Sequence, residues 1–455
     1  MEISGTLMRV KNKSISASTI PAMILLVALF VCLQSSLSYG SNQATPYQVI
    51  ELKGIELPIL LNKRFDKLTL FAVKQGILIP VPFQLEDYDS EGYSWFKESG
   101  NQLLGRENIL DEHDSLFFRY QDAGNKLDEY NAGFARISAE IAVKAPNSDE
   151  IRYVYVSDQF NGFIHKPLTE YNPQTGVVKS EHFSLNTNPN NFLIWNDFNY
   201  SGYSEGDAES LLDTLKIRVD AGVVLEGTRI TLDNRNINTK IVAIKRGPIR
   251  TVILGTGYLS FASIPVVYLD LNFQIYPQQV RIGAKIEVPV ILAQLLNTPH
   301  ASISLDGKDL KGSELKVSHG PQQPVVVDGK MSEQETALEQ IEVPRDQNWI
   351  WLTTHKGFDI IAQLFIPSNF NVPISIYYID DEALKEKPER FAGQGPNVGY
   401  HLHDLPIDDT FHFTFSLFFS DSIAPHTPEV FIESIASVPH VMTTGTPDPQ
   451  VAQQQ

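Results

Sequence analysis

The feature that most constrains this chain is the period of its hydropathy. Apolar and polar residues alternate, or β-branched and aromatic residues run together, in Leu68–Val73, Ile151–Val156, Lys216–Val219, Arg229–Leu232 and Val266–Tyr276. The same holds for Val280–Val288, Trp349–Thr354, Ile360–Ile366 and Ile374–Ile379. A period of two puts alternate side chains on opposite faces of an extended strand, so each stretch has one face to bury. Gly, Pro, Asn and Asp separate the stretches at the short spacing of antiparallel sheets. Helical periodicity is confined to Glu205–Leu215, Ser332–Ile341 and Ala383–Phe391. None of these alternates with strands as a βαβ array requires, and no G-x-G-x-x-G or P-loop is present, so a nucleotide-binding α/β fold is disfavoured. The expected fold is all-β: a small N-terminal acidic β domain over 46–145, then a large antiparallel β-sandwich of supersandwich type over 151–440. Residues 307–345 read as a polar insertion with a short helix, and 443–455 as a disordered tail.

The first 40 residues have a different character. Arg9, Lys11 and Lys13 precede a charge-free run from Ile20 to Leu33, followed by Ser38-Tyr39-Gly40-Ser41. At 14 residues the run is short of the roughly 20 that cross a bilayer as a helix, and small residues at 38 and 40 suit signal-peptidase cleavage after Gly40. A cleaved signal peptide over 1–40 is expected, with a retained anchor as the alternative. The mature chain would then be periplasmic or secreted, with no membrane span. Cleavage would remove three basic residues and one acidic residue, moving the net charge from −18 to −20. It would also remove Cys32, the single cysteine. Disulfide frameworks, four-cysteine zinc sites and C-x-x-C redox chemistry are therefore excluded, and the acidity disfavours nucleic acid as a partner.

Two constellations could carry chemistry. Asp87, Asp89 and Glu91 fall at positions 1, 3 and 5 of a loop with Gly92 at 6 and Glu98 at 12. That is the outline of a calcium loop, in which carboxylates converge on a hard cation and the glycine permits the turn. The preceding Ile79–Leu85 reads as a strand, so the loop is not an EF-hand, and a solvated acidic turn is the alternative. The second constellation assumes that Tyr400–Leu405 and Thr410–Phe415 form a hairpin over the loop 406–409. His403 would then oppose His412, with His401 on the same face, near enough to share a transition metal ion. A polar outer strand face explains the same histidines without a metal. The acidic stretch holding Asp111, His113, Asp114 and Asp122 reads as a charged loop entering a strand. Trp195 and Tyr200 lie in an aromatic and amide-rich segment of the kind that stacks on and hydrogen-bonds to sugars, with core packing as the alternative. No G-x-S-x-G, H-E-x-x-H or defined carboxylate pair assigns a reaction.

Three stretches together carry a resemblance: Ile79-Pro-Val-Pro-Phe-Gln-Leu-Glu-Asp87, Asp111–Phe118 with Asp122-Ala-Gly124, and Lys245-Arg-Gly-Pro-Ile-Arg250. On these the chain resembles secreted bacterial all-β proteins of unassigned activity, in which a P-x-Q-x-x-D segment leads into an acidic loop and a D-x-L-x-F strand. The larger region resembles the supersandwich domains of sugar mutarotases and some polysaccharide lyases. The resemblance implies an envelope or secreted location and work on polysaccharide. The mutarotase-type catalytic His and Glu have no matching motif here, so it implies no catalytic residue. The leading expectation is a protein that binds a glycan or other envelope polymer. The alternatives are a polysaccharide lyase or carbohydrate epimerase, and a structural or assembly factor that contacts an envelope protein. No cofactor is required by these motifs, and calcium is the one they could hold.

Overall fold

The computed structural model describes residues 48–127, 136–144, 150–159, 165–203, 210–223, 228–290, 296–391, 393, 395–406, 410–421, 423, 427–436 and 440–445. The signal peptide expected over 1–40 lies outside them. Among the described residues the structure is almost wholly antiparallel strand, with two short α-helices, Glu333–Leu338 and Pro428–Ala436. The fold is therefore all-β, as the alternating pattern requires. Of the three expected helices, the one within 332–341 forms, started by a capping box in which Ser332 and Glu335 bond each other's backbone amides. By contrast, Leu212–Val223 is a strand, and 383–391 is turn and loop.

Two sheets make the large sandwich. One has six strands, in spatial order Arg229–Asp233, Leu212–Val223, Leu296–Gly307, Asn397–Leu402, Ile374–Ile379 and Glu342–Val343. The other has nine, in the order Ile237–Arg246, Thr251–Phe261, Ile264–Tyr276, Gln279–Glu287, Phe411–Ser420, Asp359–Phe365, Ile350–Thr353, Glu314–Val317 and Val325–Val326. Their apolar faces share one core, in which the Tyr400 ring of the six-stranded sheet meets Phe415 of the nine-stranded sheet edge-on at 6.3 Å. The Tyr400 hydroxyl donates to the Ala362 carbonyl at 2.9 Å, which satisfies the polar atom this burial would otherwise orphan. A four-stranded meander over Thr169–Tyr200 adds Trp195, Phe192 and Phe198 to the same core.

The N-terminal region builds a second core from a three-stranded sheet (Val49–Lys53, Ser115–Arg119, Phe83–Glu86) and a five-stranded sheet. The five-stranded sheet joins Thr69–Lys74, Ile77–Pro80, Ala139–Lys144 and Ile151–Ser157 to a C-terminal strand, His440–Gly445. Ile151–Ser157 thus pairs within the N-terminal region, where Lys144 faces Ile151 in register. Thr443, Thr444 and Gly445 pair with Ile141, Glu140 and Ala139, so this late strand closes a sheet built from early ones. Residues 446–455 of the expected tail lie outside the described residues.

Candidate functional site

The three stretches that carry the resemblance meet at one buried joint between the N-terminal strands and the large sandwich. Glu86 ends the strand Phe83–Glu86, and Arg250 precedes the strand Thr251–Phe261. Their side chains are 0% and 2% exposed, and they pair through Arg250 Nε to Glu86 Oε1 at 2.9 Å and Nη2 to Oε2 at 2.8 Å. Burial pushes the Glu86 carboxyl up, but the Arg250 charge and its hydrogen bonds outweigh this and bring it down to about 2. Gln84 Oε1 accepts the backbone N–H groups of Ile249 and Arg250 at 3.0 and 2.9 Å. Gly247 is needed beside it, since a Cβ there would lie 2.1 Å from the Gln84 amide carbon. The Arg250 guanidinium stacks 4.0 Å from the Phe117 ring centre, and Lys245 donates to the Trp95 carbonyl at 2.6 Å. A bidentate guanidinium–carboxylate pair stripped of water holds two surfaces in one register. The motif is therefore architectural.

Beside this joint lies a cleft of about 620 Å³. Its floor is the outer face of the nine-stranded sheet, where Arg281, Ser416 and Gln363 form one row across three neighbouring strands. Thr414 and Phe365 pair in the next row. One wall comes from Glu51 and Phe117 of the N-terminal strands, and another from Phe431 and Ile435 of the helix Pro428–Ala436. Burial raises the Glu51 carboxyl, yet Lys53, Arg250 and the Ser115 hydroxyl more than offset it, and the group ends below its ordinary range. It accepts from Lys53 Nζ at 2.8 Å, Tyr88 Oη at 2.9 Å and Ser115 Oγ at 2.9 Å. Glu51 is thus an ionised acceptor fixed in place. The cleft offers a guanidinium, amides and hydroxyls beside the exposed Phe365 ring, which is a lining for a hydroxyl-rich ligand.

The expected site residues fall elsewhere. Trp195 and Tyr200 are 1% and 5% exposed, in the sandwich core, so neither ring offers a face to a ligand. The Tyr200 hydroxyl donates to Asp421 Oδ1 at 2.9 Å. The 87–98 loop folds around its own carboxylates. Asp89 Oδ1 accepts the Glu91 and Tyr93 amides, Asp89 Oδ2 takes Asn101 Nδ2, and Asp87 Oδ1 takes the Asn108 amide. Glu91 faces Lys285 at 3.7 Å, and Glu98 is exposed on a 3-10 turn. Among the described residues this loop is not one of the groups of three or more donors that converge within 4.8 Å. Its hydrogen bonding is that of an Asx-type turn.

The histidine hairpin is also corrected. Asn397–Leu402 pairs within the six-stranded sheet, while Phe411–Ser420 pairs with Gln279–Glu287 and Asp359–Phe365 in the other. Both strands have an apolar face, and facing each other across the core buries both. His412 is consequently opposite Lys285 on the nine-stranded sheet, away from His401 and His403. Its place beside them is taken by His300, with ring centres 5.7 Å from His401 and 5.6 Å from His403. The hairpin's tip, 407–409, lies outside the described residues. Burial, then the nearby His403 and His300, push His401 down to about 4; burial and His300 also lower His403.

The second converging group is Asp213, Asp306 and Glu389. Lys216 lies against it, paired with Asp306 and, at 3.1 Å, with Glu389, so a protein cation serves these carboxylates. Donor groups able to hold a divalent ion therefore exist, although not where the calcium loop was expected. Glu51, Glu86, Arg250, Arg281 and His300 are not singled out as site residues by sequence. The P-x-Q-x-x-D segment and Lys245–Arg250 are the only signal, and it concerns the joint. Among the described residues no helix is long and apolar enough to cross a membrane.

No protein-family model matches the chain, and no curated protein does. Solved structures bear a distant likeness to it. A candidate aldose 1-epimerase from Escherichia coli K12 is 9% identical with a TM-score of 0.31, over 53% of this chain and 97% of the other. A bacterial glucoamylase bound to acarbose is 10% identical, with a TM-score of 0.33 over 65% of this chain and 38% of its own. An α-mannosidase from Enterococcus faecalis V583 is 12% identical, with a TM-score of 0.35 over 86% of this chain and 47% of the other. The chain spans less than half of the last two. The likeness to these carbohydrate-acting proteins is distant and concerns fold alone.

Proposed function

We propose that this protein is a secreted or periplasmic β-sandwich that binds a glycan, or a similar hydroxyl-rich envelope polymer, in the cleft beside the N-terminal joint. The observation that supports this is the row of Arg281, Ser416 and Gln363 on the cleft floor, beside the exposed ring of Phe365. Neutral and acidic sugars need hydrogen-bonding groups for their hydroxyls and apolar surface for their C–H faces, and this lining offers both. The test is a panel of cell-envelope polysaccharides in affinity electrophoresis and calorimetry. Arg281→Ala and Gln363→Ala should each weaken binding of the best polymer by about tenfold, in line with the loss of a charge-assisted or neutral hydrogen bond. Uniform absence of binding across the panel would sink the proposal. The secreted location rests on the N-terminal sequence, and N-terminal sequencing of the mature protein from cell fractions should start at Ser41.

A catalytic reading, lyase or epimerase, draws support from one feature. Glu51 lies ionised on the cleft wall, so any proton-transfer role it has is that of an acceptor, and a weak one because Lys53 and Arg250 lower its pKa. If the polymer is turned over, Glu51→Gln should abolish turnover while leaving binding within a few-fold. Turnover undiminished in this variant would eliminate Glu51 as the base.

A further inference from the structure

The outer face of the six-stranded sheet carries a polar site that shares no residue with the cleft. His300 lies on the strand Leu296–Gly307, His401 on Asn397–Leu402, and His403 just past the end of the latter. The register of Ala301 with Leu402 and Ser302 with His401 brings His300 alongside His403. The ring centres of His401 and His403 are 4.2 Å apart, and each of the three residues offers a nitrogen within 4.8 Å of the other two. All three side chains are half-buried.

We propose that His300, His401 and His403 form a binding site for a zinc-type divalent transition ion, held by three imidazoles with a fourth position open to solvent. Two considerations support it. First, a polar outer face would explain scattered histidines, but three of the chain's eleven converge on one point from two adjacent strands. Second, one imidazole is already oriented: His403 Nε2 bonds Ser375 Oγ at 2.9 Å, which leaves Nδ1 as its ligating nitrogen. Metal-binding histidines characteristically anchor their second nitrogen in this way. His300 Nδ1 has only a long 3.4 Å contact from the Asp404 amide, weak enough for a ligand bond to displace. A tetrahedral site with metal–nitrogen bonds near 2.0–2.1 Å needs donors about 3.3 Å apart. Rotation of half-buried side chains can close that gap without moving the strands.

The whole protein, stripped with chelator and dialysed, should be titrated with zinc chloride and, in parallel, cobalt chloride. The expected result is one equivalent bound per chain, visible cobalt bands of a nitrogen-ligated low-coordinate site, and a higher melting temperature. His300→Gln and His401→Gln should each weaken zinc binding by about a hundredfold, and Ser375→Ala by about tenfold, as losses of a ligand and of its anchor. His412→Gln should change nothing. Failure of the wild type to bind one equivalent, or undiminished binding by the His300→Gln/His401→Gln double variant, would overturn the proposal. If a variant does not fold, modification of the wild type by diethyl pyrocarbonate decides the matter. Zinc should protect all three histidines, and equal modification with and without zinc would refute the site. Polysaccharide affinity measured on the same samples should not depend on zinc, so the cleft and the metal site can each fail alone.

Discussion

Replacing Glu86 by Gln tests the central energetic claim, that one desolvated ion pair locks the N-terminal strands to the sandwich. Glu86 is fully buried, and the joint moves its carboxyl from an ordinary 4.5 to about 2. At 1.36 kcal/mol per unit, a shift of between two and three units corresponds to roughly 3 kcal/mol of stability carried by the ionised form. The substitution removes that contribution and leaves the Arg250 guanidinium buried without its counter-charge, which costs about 3–5 kcal/mol where one partner of a buried pair is deleted. Because the folded value lies below the unfolded one, the contribution is complete above pH 4.5 and is lost as pH falls toward 2. Urea melts at pH 7 should therefore show the Gln variant about 3–5 kcal/mol less stable. A pH series should show the wild type losing stability between 4.5 and 2 more steeply than the variant. Glu86→Gln combined with Arg250→Met should recover part of the loss, since the orphaned charge is gone. A single-variant cost under about 1 kcal/mol, or parallel acid limbs, would refute the reasoning.

Three further outcomes follow from the same geometry. Burial raises the Asp114 carboxyl to about 7, so its protonated form is favoured in the folded state; stability should fall as pH rises from about 4 to 7, and Asp114→Asn should flatten that limb in melts across the range. Trp195→Ala should cost about 3–5 kcal/mol in a urea melt and leave polysaccharide affinity unchanged, because the ring fills the core. Added calcium should leave the melting temperature unmoved, because the Asp87 and Asp89 carboxylates already serve loop amides; a calcium-dependent rise lost in Asp89→Asn would contradict that account.

Fold class and most strands were legible in the amino-acid order, because the period of two is a local property that survives any tertiary arrangement. It also determined which face of each strand is buried: Tyr400 and Leu402, and Phe411 and Phe415, are inside as their alternation requires. What it could not specify was which strand lies next to which. Alternation gives identical patterns for two strands paired in a hairpin and for two strands facing across a core, and only the tertiary structure separated His412 from His401 and put His300 in its place. The same limit applied to Trp195 and Tyr200, since aromatic rings with amide neighbours read alike in a core and in a binding groove until packing decides. It applied equally to the acidic loop, where spacing matches calcium ligands and only the tertiary structure shows Asp87 and Asp89 accepting hydrogen bonds from Glu91, Tyr93, Asn101 and Asn108. The joint and the cleft were decided by contacts between residues far apart in the chain, Glu86 with Arg250 and Glu51 with Arg281 across one cleft. Long-range pairing of this kind leaves little local periodicity to read, which is why the sequence revealed the sandwich and the tertiary structure alone assembled its sites.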